Sequence, residues 1–258
     1  MDKLENKIAL VTGGGSGIGR SISEILAENG AVVYILDVQE KNGRESETII
    51  KQSGNRAIFI QCDVSNQQET RESIDRIFSL EGRIDILINN AGVSHIGTAE
   101  NTTEQDFDRI FGVNVKGVYN CLHGCIPCMK KTGGGIIINM TSVASFAGLP
   151  DRFAYSMSKG AVTTMTYSVA RDYLNDNIRC NGVAPARVHT PFVDGYLIKN
   201  YPGQEQEMFE ELSKTQPIGR MGDPREIASL VLFLCSDEAS FITGSIYPID
   251  GGFLTLNT

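Results

Sequence analysis

The chain has 258 residues, 41% of them hydrophobic and only 7% aromatic, so an aliphatic core of single-domain size is within its reach. A net charge of −8 argues against a nucleic-acid-binding face, and no apolar run is long enough to span a membrane. The charged start, Met1 to Lys7, has no signal-peptide pattern, which makes a soluble cytoplasmic protein the expectation.

The first predicted strand, 7–12, is a short apolar run that leads directly into Gly13-Gly14-Gly15-Ser16-Gly17-Ile18-Gly19. A helix follows over 17–29, with Ile22, Ile25 and Leu26 on its apolar face. Strand, glycine turn and helix start in this order form a dinucleotide-binding unit. The glycines let the backbone approach a pyrophosphate, and the helix N-terminus offers free N–H groups and a favourable dipole. The second strand, 31–36, ends at Asp37. A carboxylate there suits the adenosine ribose hydroxyls and repels a 2′-phosphate. Ser16 supplies no compensating charge, although Arg20 lies close, so NAD is expected rather than NADP. Capping of the following turn is the alternative role for Asp37.

Farther on, helices are predicted over 40–53, 67–80 and 104–130, and strands over 57–61 and 84–89. Cys121, Cys125 and Cys128 have the spacing of a radical-enzyme iron–sulfur loop, but i, i+4, i+7 is also one stripe of a helix. Phe107, Ile110, Phe111, Val115 and Val118 favour the helix, with Pro127 disturbing its last turn, and no metal is expected. Cys62, Cys180 and Cys235 are scattered, as in a reducing compartment.

Beyond the strand 135–141, Tyr155 and Lys159 share one face of a helix over 154–174. A free tyrosine, with a pKa of about 10, is a poor base at neutral pH, and a fixed cation nearby favours its phenolate. Ser142 adds a hydroxyl to hold a substrate oxygen while its proton moves. Strands over 178–184 and 245–249 and helices over 205–214 and 224–235 complete the alternation. It predicts an α/β fold: a Rossmann-like, doubly wound parallel sheet of about seven strands with helices on both faces, in one domain spanning 1–258.

These motifs together resemble the short-chain dehydrogenase/reductase family over nearly the whole chain. Thr12 to Gly19 is similar to its T-G-x-x-x-G-x-G, and Asn89-Asn90-Ala91-Gly92 to its N-N-A-G. The resemblance implies a catalytic tetrad of Asn114, Ser142, Tyr155 and Lys159, with Asn114 anchoring a water that passes protons to solvent. It also implies adenine contacts at Asp63 and Val64, and nicotinamide contacts along Pro185, Val188 and Thr190, with Lys159 on the nicotinamide ribose. Ala186 departs from the glycine common in that segment, and Asp250-Gly251-Gly252 resembles the family's C-terminal signature. A homo-oligomer, most often a tetramer, is the family expectation.

In such proteins the stretch corresponding to 189–222 forms a lid over the substrate. The segment before Tyr155 resembles members that oxidise hydroxy acids and deoxy-sugar acids, in which an arginine at the place of Arg152 pairs with the substrate carboxylate. Arg187, His95, His189 and Tyr196 are further substrate candidates; a surface ion pair is the bland reading of Arg152. The expected activity is NAD-linked interconversion of a secondary alcohol and a ketone on a small polar molecule. An NADPH-dependent 3-oxoacyl thioester reductase and a non-catalytic NAD-sensing protein are the alternatives.

Overall fold

A computed structural model describes residues 3–256. Seven parallel strands form one sheet: β1 Ile8–Thr12, β2 Val32–Asp37, β3 Ala57–Gln61, β4 Ile86–Asn89, β5 Gly135–Met140, β6 Ile178–Pro185 and β7 Ile246–Ile249. Their spatial order is β3-β2-β1-β4-β5-β6-β7, so the winding reverses between β1 and β4. That reversal opens a crevice at the carboxyl ends of these two strands, where open α/β sheets hold their ligands.

The strands alternate their side chains between two cores, as a pleated strand must. Ala9 and Val11 of β1 face the layer of α1 (Gly17–Glu28) and α9 (Pro224–Cys235), where Ile22, Leu26, Ile227 and Val231 are buried. Ile8 and Leu10 face the opposite layer. There α3 (Gln67–Glu81), α5 (Gly117–Lys131) and α6 (Phe153–Asp172) contribute Ile74, Ile77, Leu122, Cys125 and Val162. Each aliphatic side chain so buried contributes about 1.5–3 kcal/mol. The α2 helix (Glu40–Gln52) lies beside β2 and β3, and its Gly43 admits the Phe59 ring.

Local chemistry explains where elements begin. Asn66 caps α3 by accepting from the N–H groups of Gln68 and Glu69. Asp223 opens α9 with a capping box closed by Glu226 and with Pro224 in the first turn. Pro248 sits in β7, an edge strand, where a missing N–H is tolerated.

Two predicted elements differ. The single helix expected over 104–130 is α4 (Glu104–Phe111), a π-helical turn (Gly112–Lys116) and then α5. The wide turn carries Asn114 inward, where its amide bonds both backbone groups of Val93 at 2.8 and 2.9 Å. The segment after Thr190 contains a helix that the periodicity did not reveal, α7 (Pro191–Asn200), ahead of the expected α8 (Glu205–Lys214). Pro191 at its first position sets the start. The cysteine stripe lies along α5, and all six thiols are free and buried.

Candidate active site

Thr12 ties the ends of β1 and β4 together. Its hydroxyl donates to the Ile88 carbonyl and accepts from the N–H groups of Asn90 and Ala91, both at 3.0 Å. In return the Asn90 amide donates to the carbonyls of Thr12 and Gly13 at 3.0 and 3.1 Å. Between these strand ends the chain turns through Gly13 and Gly17, at φ of 62° and 53°. A Cβ on Gly19 would stand 2.1 Å from the Gly13 carbonyl oxygen, so only glycine lets α1 start this close to the turn.

The N-terminus of α1 faces a cleft of about 600 Å³. It runs from Asp37, Asp63 and Val64, past Ser16 to Gly19 and Asn90 to Gly92, to Ser142, Tyr155, Lys159, Pro185 and Thr190. Crowding at Gly13, Gly14, Gly15 and Gly19 keeps the backbone of the turn bare, as a pyrophosphate cradle requires, and the volume of the cleft suits a dinucleotide. At its far end the Asp37 carboxylate accepts from the N–H groups of Gly15 and Gln39, each at 2.9 Å. Asp37 therefore fastens the turn and also lines the cleft. Arg20 is committed elsewhere: it donates to the Gly15 carbonyl and pairs with Glu45 at 3.2 Å.

At the other end, Ser142 follows β5 and accepts from the Ala144 N–H at 3.2 Å. Tyr155 stands in the first turn of α6. Desolvation raises its phenol above the ordinary value, while a hydrogen bond with Ser142 and the positive field of Arg152 pull it back down. Lys159 lies one turn along, its ammonium 5.8 Å from the Tyr155 ring centre and donating to the Met140 carbonyl at 2.8 Å. Burial lowers its pKa to about 8. The Asn114 amide also donates to Ser158 Oγ at 3.0 Å, and that hydroxyl donates to the Tyr155 carbonyl at 2.7 Å. Loop, π-helical turn and α6 are thereby locked together.

Ala186 lines the cleft and donates its N–H to the Ile249 carbonyl; it is not among the residues at positive φ, so the turn does not need glycine. Val188, the other expected contact of this segment, is placed differently from its neighbours. Its aliphatic side chain is buried in the core and its backbone bridges Gly222, which leaves only its backbone to meet a cofactor. The substrate candidates other than Ser142 are not among the residues that line this cleft. Arg152 donates to Ser94 Oγ and the His95 carbonyl at 3.0 and 3.4 Å, and neither Asp151 nor another described carboxylate pairs with it. His95 is held near Asp106 at 3.6 Å, its Nε2 buried without a partner. His189 meets Asp194 at 2.8 Å and the edge of Phe209, which makes it a tie between α7 and α8. Arg187 donates to Thr215, and Tyr196 hydrogen-bonds Tyr201.

Several lining residues were not singled out from sequence. Val93 and Ser94 directly follow the Asn-Asn-Ala-Gly motif, a signal that was available. Arg109, distant in sequence and brought in by α4, carried none.

A family model described as "Enoyl-(Acyl carrier protein) reductase" matches residues 13–254. An uncharacterized oxidoreductase of Thermotoga maritima is 41% identical over 251 residues, covering 96% of this chain and 98% of that protein. Cyclopentanol dehydrogenase of Comamonas sp. is 36% identical over 253 residues, covering 98% of this chain and 99% of the relative. The crystal structure of L-sorbose reductase from Gluconobacter frateurii, complexed with NADPH and L-sorbose, superimposes with a TM-score of 0.94 at 28% identity over 100% of both chains.

Proposed function

The chain belongs to the short-chain dehydrogenase/reductase family of oxidoreductases, and on that premise we propose that it interconverts a secondary alcohol and a ketone on a small hydroxy acid or deoxy-sugar acid, using NAD. The observation that carries this reading is the meeting of Ser142, Tyr155 and Lys159 at one end of a dinucleotide-sized cleft whose other end is Asp37.

The residues divide the work by position. Ser142 holds the substrate oxygen by its hydroxyl. Tyr155, as phenolate, takes the hydroxyl proton in the oxidative direction and returns it in the reductive one. Bound NAD supplies the hydride acceptor. The Lys159 ammonium and the Arg152 guanidinium favour the phenolate electrostatically, and Lys159 is placed to hold the nicotinamide ribose. Asn114, with its amide spent on Val93 and Ser158, fixes the catalytic helix against the loop behind it and anchors the proton-relay water. Gly13, Ser16, Gly17, Ile18 and Gly19 hold the pyrophosphate; Asp63, Val64 and Asn90 to Gly92 flank the adenosine half; Pro185 and Thr190 flank the nicotinamide.

Support for NAD is the Asp37 carboxylate at the cleft, with Arg20 already neutralised by Glu45. Support for an acid substrate is Arg152, anchored near the catalytic tyrosine without a carboxylate partner among the described residues. The stretch 189–222, with α7 and α8, acts as the lid, and Phe192 at the start of α7 lines the cleft. The working protein is a cytoplasmic homo-oligomer, a tetramer by family precedent. No helix among the described residues is long and apolar enough to cross a membrane.

An NADPH-dependent reductase of 3-oxoacyl thioesters is the second reading, supported by the likeness to a 3-oxoacyl-[acyl-carrier-protein] reductase of Thermotoga maritima, 34% identical over 256 residues. A non-catalytic NAD sensor has no need of the complete tetrad. Assay of NADH and NADPH formation against hydroxy acids, deoxy-sugar acids, neutral sugars and simple alcohols separates the readings. Turnover of acids with NAD supports the proposal. Turnover only with NADP, or only of neutral alcohols, sinks the cofactor or the substrate assignment respectively.

A further inference from the structure

The loop after β3 lines one part of the cleft with Cys62, Asp63 and Val64, and each of the three is tied to a different element. The Cys62 N–H donates to the carbonyl of Asp37, at the end of β2, at 3.1 Å. The Asp63 N–H donates to the carboxylate of Glu69, in the first turn of α3, at 2.9 Å. The Val64 carbonyl accepts from the amide of Asn120, on α5, at 2.7 Å. Thr70 also reaches that carbonyl, at 3.3 Å, but its single hydroxyl proton goes to the nearer Asn66 carbonyl at 2.8 Å. Asn120 is therefore the firm donor to Val64. Helix α5 comes this close because it carries Gly117, where a Cβ would stand 2.8 Å from Val64 Cγ2.

Asn120 is only 3% exposed and shares α5 with the buried Val118, Cys121 and Leu122. A carbonyl can only accept, so the amide must turn its nitrogen to Val64, and its Oδ1 is left buried without a partner. An orphan acceptor away from water is unfavourable, and leucine would fill the same space without one. Packing alone does not account for an asparagine here; the bond to Val64 does. Asn114, on the π-helical turn that precedes α5, acts alike by donating to the Val93 carbonyl at 2.9 Å. Val64 and Val93 both line the cleft, so one continuous helical rod braces two of its loops. The bracing aims one carboxylate. Asp63 Oδ1 accepts from the N–H and the hydroxyl of Ser65 at 2.9 and 2.8 Å, which fixes the side chain and leaves Oδ2 without a hydrogen-bond partner among the described residues.

We propose that Asn120 is a positioning residue for base recognition: by holding the Val64 carbonyl it sets the Asp63 carboxylate to accept from the 6-amino group of adenine. This rests on the reading of the cleft as a nicotinamide-dinucleotide site, and it applies to NAD and NADP alike. Hypoxanthine places a carbonyl oxygen where adenine has its amino group, so a carboxylate fixed there favours adenine and repels the deaminated base. A loop released from α5 still borders the base but no longer holds the carboxylate at hydrogen-bond distance. Discrimination between the two bases, more than binding as such, is what it loses.

The test needs no substrate. Calorimetry on the full chain measures binding of ADP-ribose and of its hypoxanthine counterpart, inosine diphosphate ribose. The wild type should prefer the adenine compound on the order of 10-fold or more, as expected of a hydrogen bond to a charged acceptor. Asn120→Leu, which fills the space of the amide and cannot donate, should bring the two affinities within about two-fold of each other, chiefly by weakening ADP-ribose. Thr70→Val should keep the wild-type preference, because the Thr70 proton serves Asn66. A urea midpoint checks that each variant folds, and Asn120→Ala makes the same test if the leucine variant does not. A preference that survives in the Asn120 variants, an equal loss in Thr70→Val, or a wild type that binds both compounds equally overturns the positioning role and leaves the cleft a dinucleotide site. If neither compound binds the wild type, the reading of the cleft falls with it.

Discussion

Tyr155 is useful because two effects oppose each other at its phenol. Desolvation keeps the proton on, and Ser142 and Arg152 help to remove it. Tyr155→Phe should therefore lower kcat/KM by about 10³-fold or more while NAD affinity measured by fluorescence titration stays within a few-fold. The base must be ionised to act, so kcat/KM for oxidation rises as pH passes its pKa. Arg152 lowers that pKa, and Arg152→Gln should move the acidic limb of the pH–rate profile to higher pH; an unmoved limb would show that its field does not reach the phenol. At the opposite end of the cleft, Asp37→Ser removes the charge facing a 2′-phosphate. The NADP-to-NAD ratio of kcat/KM should rise on the order of 100-fold, since two charges about 5 Å apart at an effective dielectric constant near 20 interact by about 3 kcal/mol. The same variant loses the acceptor for the Gly15 N–H, so absolute NAD affinity should fall as well. At this scale the sequence was highly legible for Tyr155, Lys159 and the glycines, because turn geometry and helical spacing are local. Val188 was less legible for the opposite reason: whether a valine beyond a strand turns its side chain to the core or the cleft depends on its neighbours in space, and here it is the core.

Among the elements, α2 depends on contacts that a hydropathy pattern does not contain. A Cβ on Gly43 would stand 2.1 Å from the Phe59 ring, and the Gly43 N–H region in turn abuts Gly15 of the glycine turn. Gly43→Ala should cost about 1–3 kcal/mol by overpacking, read as a lower urea midpoint, and should weaken NAD binding because α2 shifts against the turn. Asn139 offers a complementary case. Its amide donates to Thr166 Oγ1 at 2.9 Å, and its carbonyl accepts from Asn89 at 2.8 Å, both at the buried centre of the sheet. Asn139→Ala should destabilise by about 2–4 kcal/mol, because partners are left unpaired away from water; an unchanged midpoint would show that solvent reaches them. The long helix predicted over 104–130 failed at Gly112–Lys116 because nothing in a 3.6-residue period marks a single wide turn. What pulls Asn114 inward is Val93, 21 residues earlier.

For the whole molecule, the exposed aromatic side chains of α4, α5 and α6 (Phe111, Tyr119, Phe153 and Tyr167) are consistent with association between copies. Sedimentation should give four times the chain mass; a monomer at micromolar concentration would rule out the tetramer. The alternation of apolar runs with amphipathic stretches determined the parallel doubly wound sheet, and the order of the glycine turn, Asp37, Ser142, Tyr155 and Lys159 carries the cofactor site and chemistry proposed for it. Those are properties of local periodicity and of side-chain type, which the sequence states directly. Which residues face one another across the crevice was decided only by tertiary structure. Arg152 on Ser94, Asn114 against Val93 and Arg109 at the cleft wall come from elements that meet only when the strands stack in the order β3-β2-β1-β4-β5-β6-β7. Charge and hydrogen bonding act over a few ångströms of space, and the distance along a chain carries little record of that.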